Sequence, residues 1–204
     1  MTPRAAETAT ADRRFLIGAC GSVGILNLHE YLLALRSRTS GEVRVLLTES
    51  AARFVRPSVL QLFCDQVICS GSEPGIGSSH VELAEWATEF AVLPASANTL
   101  GQVANGLSPN LLTCTILAFS KPVRFFPNMN LDMWQKPAVQ RNIAALRADG
   151  HIVEEPVQQH AYKAGARNFS QSAVLPAPAM VAKLLADGTG LRPACVPDPE
   201  RTPP

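Results

Sequence analysis

A short apolar run, Phe15-Leu16-Ile17, passes directly into Gly18-Ala19-Cys20-Gly21-Ser22-Val23-Gly24, after which Ile25, Leu28, Leu32 and Leu35 recur at helical spacing. This strand, glycine turn and helix restrict the fold more than any other stretch. Consecutive apolar residues leave a strand no polar face, so it must be covered on both sides. Strand-like and helix-like stretches then alternate at least five times. The pattern predicts strands over residues 14–17, 43–47, 66–69, 90–93, 123–126 and 152–153. It predicts helices over 57–64, 80–88, 98–105, 111–119, 137–147 and 178–185. Ser79 with Glu82 three residues on forms a capping box ahead of His80. Residues 111–119 are apolar on every side and read as a buried helix. Right-handed crossovers between buried strands then give an α/β chain with a three-layer, doubly wound, mostly parallel sheet of Rossmann or flavodoxin-like type.

With 47% hydrophobic and 17% charged residues, the 204-residue chain can build a core. Residues 1–12 are small and polar and read as a disordered arm. Residues 13–190 read as a single domain, and the proline-rich residues 191–204 as a disordered tail. A net charge of +1 speaks against a nucleic-acid binder that depends on bulk positive charge. No window is long and apolar enough for a membrane helix. Cys20, Cys64, Cys69, Cys114 and Cys195 form neither a CxxC nor a regular disulfide spacing, so a reduced, cytoplasmic protein without a metal site is expected. Arg13-Arg14 ahead of Cys20 imitates an export signal, but Phe15 to Ala19 is too short for its apolar region.

In a doubly wound fold ligands sit beyond the carboxyl ends of the strands. Four segments fall there. Gly18 to Gly24 can present backbone N–H groups to a phosphate, although its spacing is GxxGxxG and tight turns often carry glycines for packing alone. Thr48-Glu49-Ser50, with Phe54 a turn later, offers hydroxyls; helix capping by Ser50 is the plainer reading. Pro94-Ala95-Ser96-Ala97-Asn98-Thr99 offers small residues, two hydroxyls and an amide, with Asn98 or Thr99 as a helix cap. Asn128, Met129, Asn130, Met133 and Trp134 follow Pro127; Asn130 can donate to a carboxylate and Met133 can cover a ligand, or the methionines can serve the core. Of the histidines, His29, His151 and His160 read as structural or exposed. His80 starts a helix after a glycine loop, where an acid or base can face a pocket.

Two of these segments carry a resemblance. PASANT at residues 94–99 and PNMNLDMW at residues 127–134, with His80 in SHVEL ahead of both, resemble the flavin-containing cysteine decarboxylases, in particular the lantibiotic-type peptidyl-cysteine decarboxylases. The resemblance runs from about residue 14 to 156. It implies FMN, or FAD in some members. It places Gly21, Ser22 and Val23 on the phosphate, and Thr48, Ser50, Phe54, Ser96, Asn98 and Thr99 around the flavin. It also implies a homo-oligomer, a trimer or a dodecamer, with the site between subunits. His80 is then a base and Asn130 orients the substrate carboxylate, with Met133 beside the substrate. The implied reaction oxidises the Cβ–S unit of a C-terminal cysteine so that carbon dioxide can leave, giving an aminoenethiol. The substrate is the cysteine end of a ribosomally made precursor peptide. A phosphopantothenoylcysteine decarboxylase of coenzyme A synthesis is the alternative within the family. Those enzymes resemble one another in a flap cysteine, and no cysteine occurs here between Cys114 and Cys195. A flavin-binding regulatory protein without turnover is the alternative outside catalysis; His80 and Asn130 speak against it. The stretch over residues 158–171, QQHAYKAGARNFSQ, reads either as a flap in which His160, Tyr162, Lys163 and Arg167 close over a peptide, or as a solvated loop.

Overall fold

The computed structural model describes residues 13–71, 79–163 and 167–187. The expected arm, most of the Gly/Ser loop and the proline-rich tail with Cys195 lie outside these residues. Strands β1 (Arg14–Ala19), β2 (Glu42–Leu47), β3 (Gln66–Cys69), β4 (Glu89–Ala95), β5 (Arg124–Pro127) and β7 (Ile152–Val153) form one sheet in the order β3-β2-β1-β4-β5-β7. Every pairing in it is parallel. The expected doubly wound architecture is therefore present.

Burial on both faces explains the apolar strands. Phe15 and Ile17 enter a core with Leu28, Leu32 and Leu35 of α1 (Leu28–Arg36) and Val181 and Leu185 of α9 (Pro178–Ala186). Leu16, between them, enters the opposite core with residues of α4 (His80–Trp86), α5 (Ala97–Ala104), α6 (Leu111–Ala118) and α8 (Pro137–Ala148). That alternation is the period of two of a strand, written into a sheet buried on both sides. The short helices α2 (Glu49–Ala52), α3 (Pro57–Leu60) and α7 (Leu131–Trp134) close the rim above β2, β3 and β5.

Several expectations shift. The helix expected over 57–64 lasts one turn, leaving Leu62 exposed. Strand β4 continues through Pro94 to Ala95, with a register shift against β5 between Val92 and Ala95, and the Pro94 carbonyl accepts the N–H of Cys20 just past the end of β1. Helix α6 is buried on one side only: Leu112 and Ile116 face the core while Leu117 is exposed. His151 is half-buried rather than exposed, since its Nδ1 accepts the N–H of Val123 at 3.1 Å and its ring meets the edge of Phe125. The largest departure lies over residues 157–174. Strands β8 (Val157–Lys163) and β9 (Asn168–Val174) form an antiparallel hairpin, and β6 (Met129–Asn130) pairs with the far end of β9.

Candidate active site

The strand order reverses direction between β1 and β4, one leading to β2 and the other to β5. Crevices form at such switch points. The glycine turn leaves β1 there. Gly21 passes so close to the β2 rim that a Cβ would lie 2.6 Å from Ser50 Cβ and 3.0 Å from its carbonyl carbon. Gly24 is equally confined, by the amide of Asn128. The backbone N–H groups of Gly21 and Val23 have no partner among the described residues.

Beside this turn, β4 delivers the start of α5. Ser96 is its N-cap and accepts the N–H of Thr99 at 3.3 Å. Ser96, not Asn98 or Thr99, therefore does the capping. Thr99 is buried, and its hydroxyl lies 3.1 Å from both Ser96 Oγ and Cys20 Sγ. Burial pushes the Cys20 thiol up, so the sulfur stays neutral under the turn.

Strand β5 brings in the third element. Asn130 occupies the N-cap position of α7 but makes no capping bond; its Nδ2 lies 3.9 Å from Met133 Sδ. An asparagine at this position ordinarily accepts from the first turn. Here the amide oxygen has no partner among the described residues. Trp134, three residues before α8, belongs to the core.

These elements surround a cavity of about 770 Å³. That is within the roughly 300–1,000 Å³ of small-molecule sites. Gly21, Ser22 and Val23 form one wall, Ser96 and Ala97 the second, Asn128, Asn130 and Met133 the third. The hairpin closes the fourth side with Gln159, Ala161, Tyr162 and Ser172. Tyr31 supports this side by donating to the carbonyl of Pro176, at 2.9 Å; burial pushes its phenol up to about 12. Among the described residues, none that lines the cavity carries a carboxylate, an imidazole or a cation.

The structure thus brings Gly21, Ser22, Val23, Ser96, Asn130 and Met133 to one cavity. It leaves Thr48, Ser50, Phe54, Asn98, Thr99 and His80 outside the lining. Thr48, rather than Ser50, caps α2, accepting the N–H of Ala51 at 3.2 Å. Phe54 is half exposed on the β2 rim, and Asn98 is exposed on α5. His80 is exposed at the start of α4, where Ser79 and Glu82 complete the capping box. The lining residues to which sequence reasoning gave no part in the site are Asn27, Tyr31, Gln159, Ala161, Ser172, Val174 and Leu175, whereas Asn128 stands in the fourth rim segment and Tyr162 in the expected flap. Asn128 carried a signal, as a second amide in the PNMN run; Gln159 and Ser172 carried none.

Residues 3–183 match the Flavoprotein family. The chain belongs to that family. Among its curated relatives, the mersacidin decarboxylase of Bacillus sp. (strain HIL-Y85/54728) is 42% identical over 173 residues, 84% of this chain and 89% of the relative. The phosphopantothenoylcysteine decarboxylase of Mus musculus is 36% identical over 165 residues, 74% of this chain and 79% of the relative. Of solved structures, EpiD complexed with the substrate peptide DSYTC superposes with a TM-score of 0.73 at 30% identity, covering 80% of this chain and 92% of that one. The FMN-dependent cysteine decarboxylase SpaF superposes with a TM-score of 0.68 at 34% identity, covering 79% and 90%. The peptidyl-cysteine decarboxylase branch expected from the two motifs is thereby supported. Within this flavoprotein fold, no helix of the described residues is long and apolar enough to cross a membrane. No group of three or more His, Cys, Asp or Glu among them could hold a metal ion.

Proposed function

We propose that this flavoprotein carries out FMN-dependent oxidative decarboxylation of the C-terminal cysteine of a precursor peptide, leaving an aminoenethiol in a lantibiotic-type product. One observation carries the reading: a single cavity joins the glycine turn, the cap of α5 and the non-capping amide of Asn130 beneath a hairpin. The relatives named for mersacidin and FMN-dependent cysteine decarboxylation support it.

The residues fit FMN. A phosphate accepts hydrogen bonds, and the turn offers the N–H groups of Gly21 and Val23 beside the N-terminus of α5. Gly21, Ser22, Val23 and Ser96 hold the cofactor in this reading. Ser50 and Thr48 set the turn from the β2 rim, Thr99 sets Ser96, and Asn98 and Phe54 act from the open side. Bound FMN supplies the two-electron acceptor that the loss of carbon dioxide requires. Asn130 Nδ2 donates to the substrate carboxylate and holds it, and Met133 packs beside it. His80 takes the proton of the oxidation step. It reaches the site from a second copy of this chain, which also covers the exposed apolar Val23, Leu26, Leu33 and Phe54. Residues 13–190 act as one domain in this assembly.

The cavity also favours a peptide over phosphopantothenoylcysteine. A second phosphate is best met by a cation, and the lining residues among those described provide none. The described hairpin residues likewise hold no cysteine. The deciding test incubates the yellow protein in air with peptides ending in cysteine and, in parallel, with phosphopantothenoylcysteine. Mass spectrometry should show the peptide lighter by one carbon dioxide and two hydrogens. Loss of carbon dioxide from phosphopantothenoylcysteine alone overturns the proposal.

A further inference from the structure

Asn128 ties three parts of the site together. Its Oδ1 accepts the hydroxyl of Ser22 at 2.8 Å and the N–H of Gly24 at 3.1 Å. Its Nδ2 donates to the carbonyl of Ala173 in β9 at 3.4 Å. Its own N–H donates to Ala95 at the end of β4. The approach is built in: a Cβ on Gly24 would lie 2.8 Å from Oδ1. Ala173 pairs with Met129, and the neighbouring Ser172 pairs with Asn130. One amide thus joins the glycine turn to the strand that flanks Asn130.

The arithmetic of donors gives this tie a consequence. A serine hydroxyl has one hydrogen, and an ionised phosphate can only accept. Ser22 therefore donates either to Asn128 or to a phosphate on the turn, never to both with that hydrogen. Gly24 N–H faces the same choice. We propose that the Asn128 amide oxygen is an internal competitor of the cofactor phosphate for these two donors, and that its other end positions the hairpin beside the substrate. Asn128 is thus a positioning residue that weakens phosphate binding while holding the peptide side of the site. The inference rests on the placement of the FMN phosphate at the glycine turn.

Opposite effects on the two ligands separate this role from a merely structural one. Riboflavin lacks the phosphate, so the ratio of its Kd to that of FMN isolates the phosphate contribution. Both values come from flavin fluorescence quenching by the apoprotein. Asn128→Ala releases both donors, and the ratio should rise by about threefold to tenfold, the worth of one hydrogen bond. The peptide KM should rise in the same variant, because Ala173 loses its tie, with kcat changed less. Equal weakening of FMN and riboflavin overturns the proposal.

Ser22→Ala serves as the second variant, since it removes only a half-buried hydroxyl. It should lower the ratio less than about threefold while Asn128 is present, because the hydrogen is already engaged. A loss of about tenfold or more shows the hydroxyl free for the phosphate and overturns the competition. In the Asn128→Ala background the same change should cost more than in the parent. If the parent binds both flavins equally, the phosphate does not sit on the turn. The proposal then fails while the decarboxylase reading stands. If neither flavin binds, both fail.

Discussion

Replacing Gly21 by alanine adds a single methyl group where the glycine turn passes against the backbone of the β2 rim. Its carbon would start 2.6 Å from Ser50 Cβ and 3.0 Å from the Ser50 carbonyl carbon. Carbon atoms rest at about 3.5–4.0 Å, so the turn and the β2 rim must part by roughly 1 Å. Ser50 lies in α2, whose cap Thr48 is bonded through its own N–H to Ala19 of β1, so the rim cannot simply swing away. Overpacking of this kind costs about 1–3 kcal/mol. For a chain of this size, about 2 kcal/mol lowers Tm by roughly 4–8 °C. The same displacement draws the N–H groups of Gly21 and Val23 away from a phosphate by a distance that ends a hydrogen bond. Kd for FMN should rise by roughly one to two orders of magnitude, since each bond to a charged group is worth about 1.5–3 kcal/mol. Circular dichroism melts and fluorescence titration read the two effects. Ser50→Gly in the same chain removes the 2.6 Å contact and leaves the 3.0 Å one, so it should restore part of both losses. A Gly21→Ala protein that melts within about 1 °C of the parent and binds FMN within about twofold would refute the argument that the turn is sterically fixed.

Three further outcomes are expected. Gly101→Ala should stabilise the chain by about 0.5–1 kcal/mol in denaturant titration, because glycine weakens a helix interior. The new Cβ meets only the movable Asn142 amide, at 3.2 Å, and a loss of stability would show that this amide cannot give way. Asn130→Ala should leave Tm and FMN binding nearly unchanged, since Asn130 makes no capping bond, while kcat/KM for a cysteine-ended peptide falls by roughly ten- to a hundredfold. His151 gives a pH dependence. Burial holds its imidazole below the ordinary histidine range, while Nδ1 accepts from Val123. The unfolded chain then takes up a proton at higher pH than the folded one. Stability is full above about pH 6.5 and declines as pH falls from there toward the folded value. His151→Asn should flatten this decline in urea titrations; an unchanged slope would assign it to other groups.

How far the sequence anticipates this structure depends on where each element finds its partners. The capping box at Ser79 is a local bond pattern and is legible without the fold. Phe15 to Ile17 is legible because a strand buried on both faces has no polar position left. The hairpin is not legible in this way. Gln159, His160 and Tyr162 are exposed along β8, so no alternation of apolar and polar residues marks it. Its register comes from β6 and β9 meeting in space. The caps at Thr48 and Ser96 are not the expected Ser50 and Asn98 or Thr99, because several capping residues stand within three positions of one another and only the backbone angle chooses among them. Within the candidate site, the glycine turn, Ser96, Asn130 and Met133 were legible from motif and position. Tyr31 was not, because nothing local announces that α1 turns a phenol toward the Pro176 carbonyl.

The uncharged wall has a consequence for how such a site responds to its medium. Under the proposed function, its pull on a phosphate or carboxylate comes from amide and hydroxyl dipoles. Mobile ions screen charges separated by about a Debye length, roughly 8–10 Å in physiological salt, far more than they screen dipoles in contact with a ligand. Affinity should therefore vary little with ionic strength. Since no acid, imidazole or cation among the described residues lines the cavity, the field of that lining also stays constant as protons come and go near neutrality. Under the proposed function, a pH profile of turnover then reports on the substrate thiol, the cofactor and the proposed base His80.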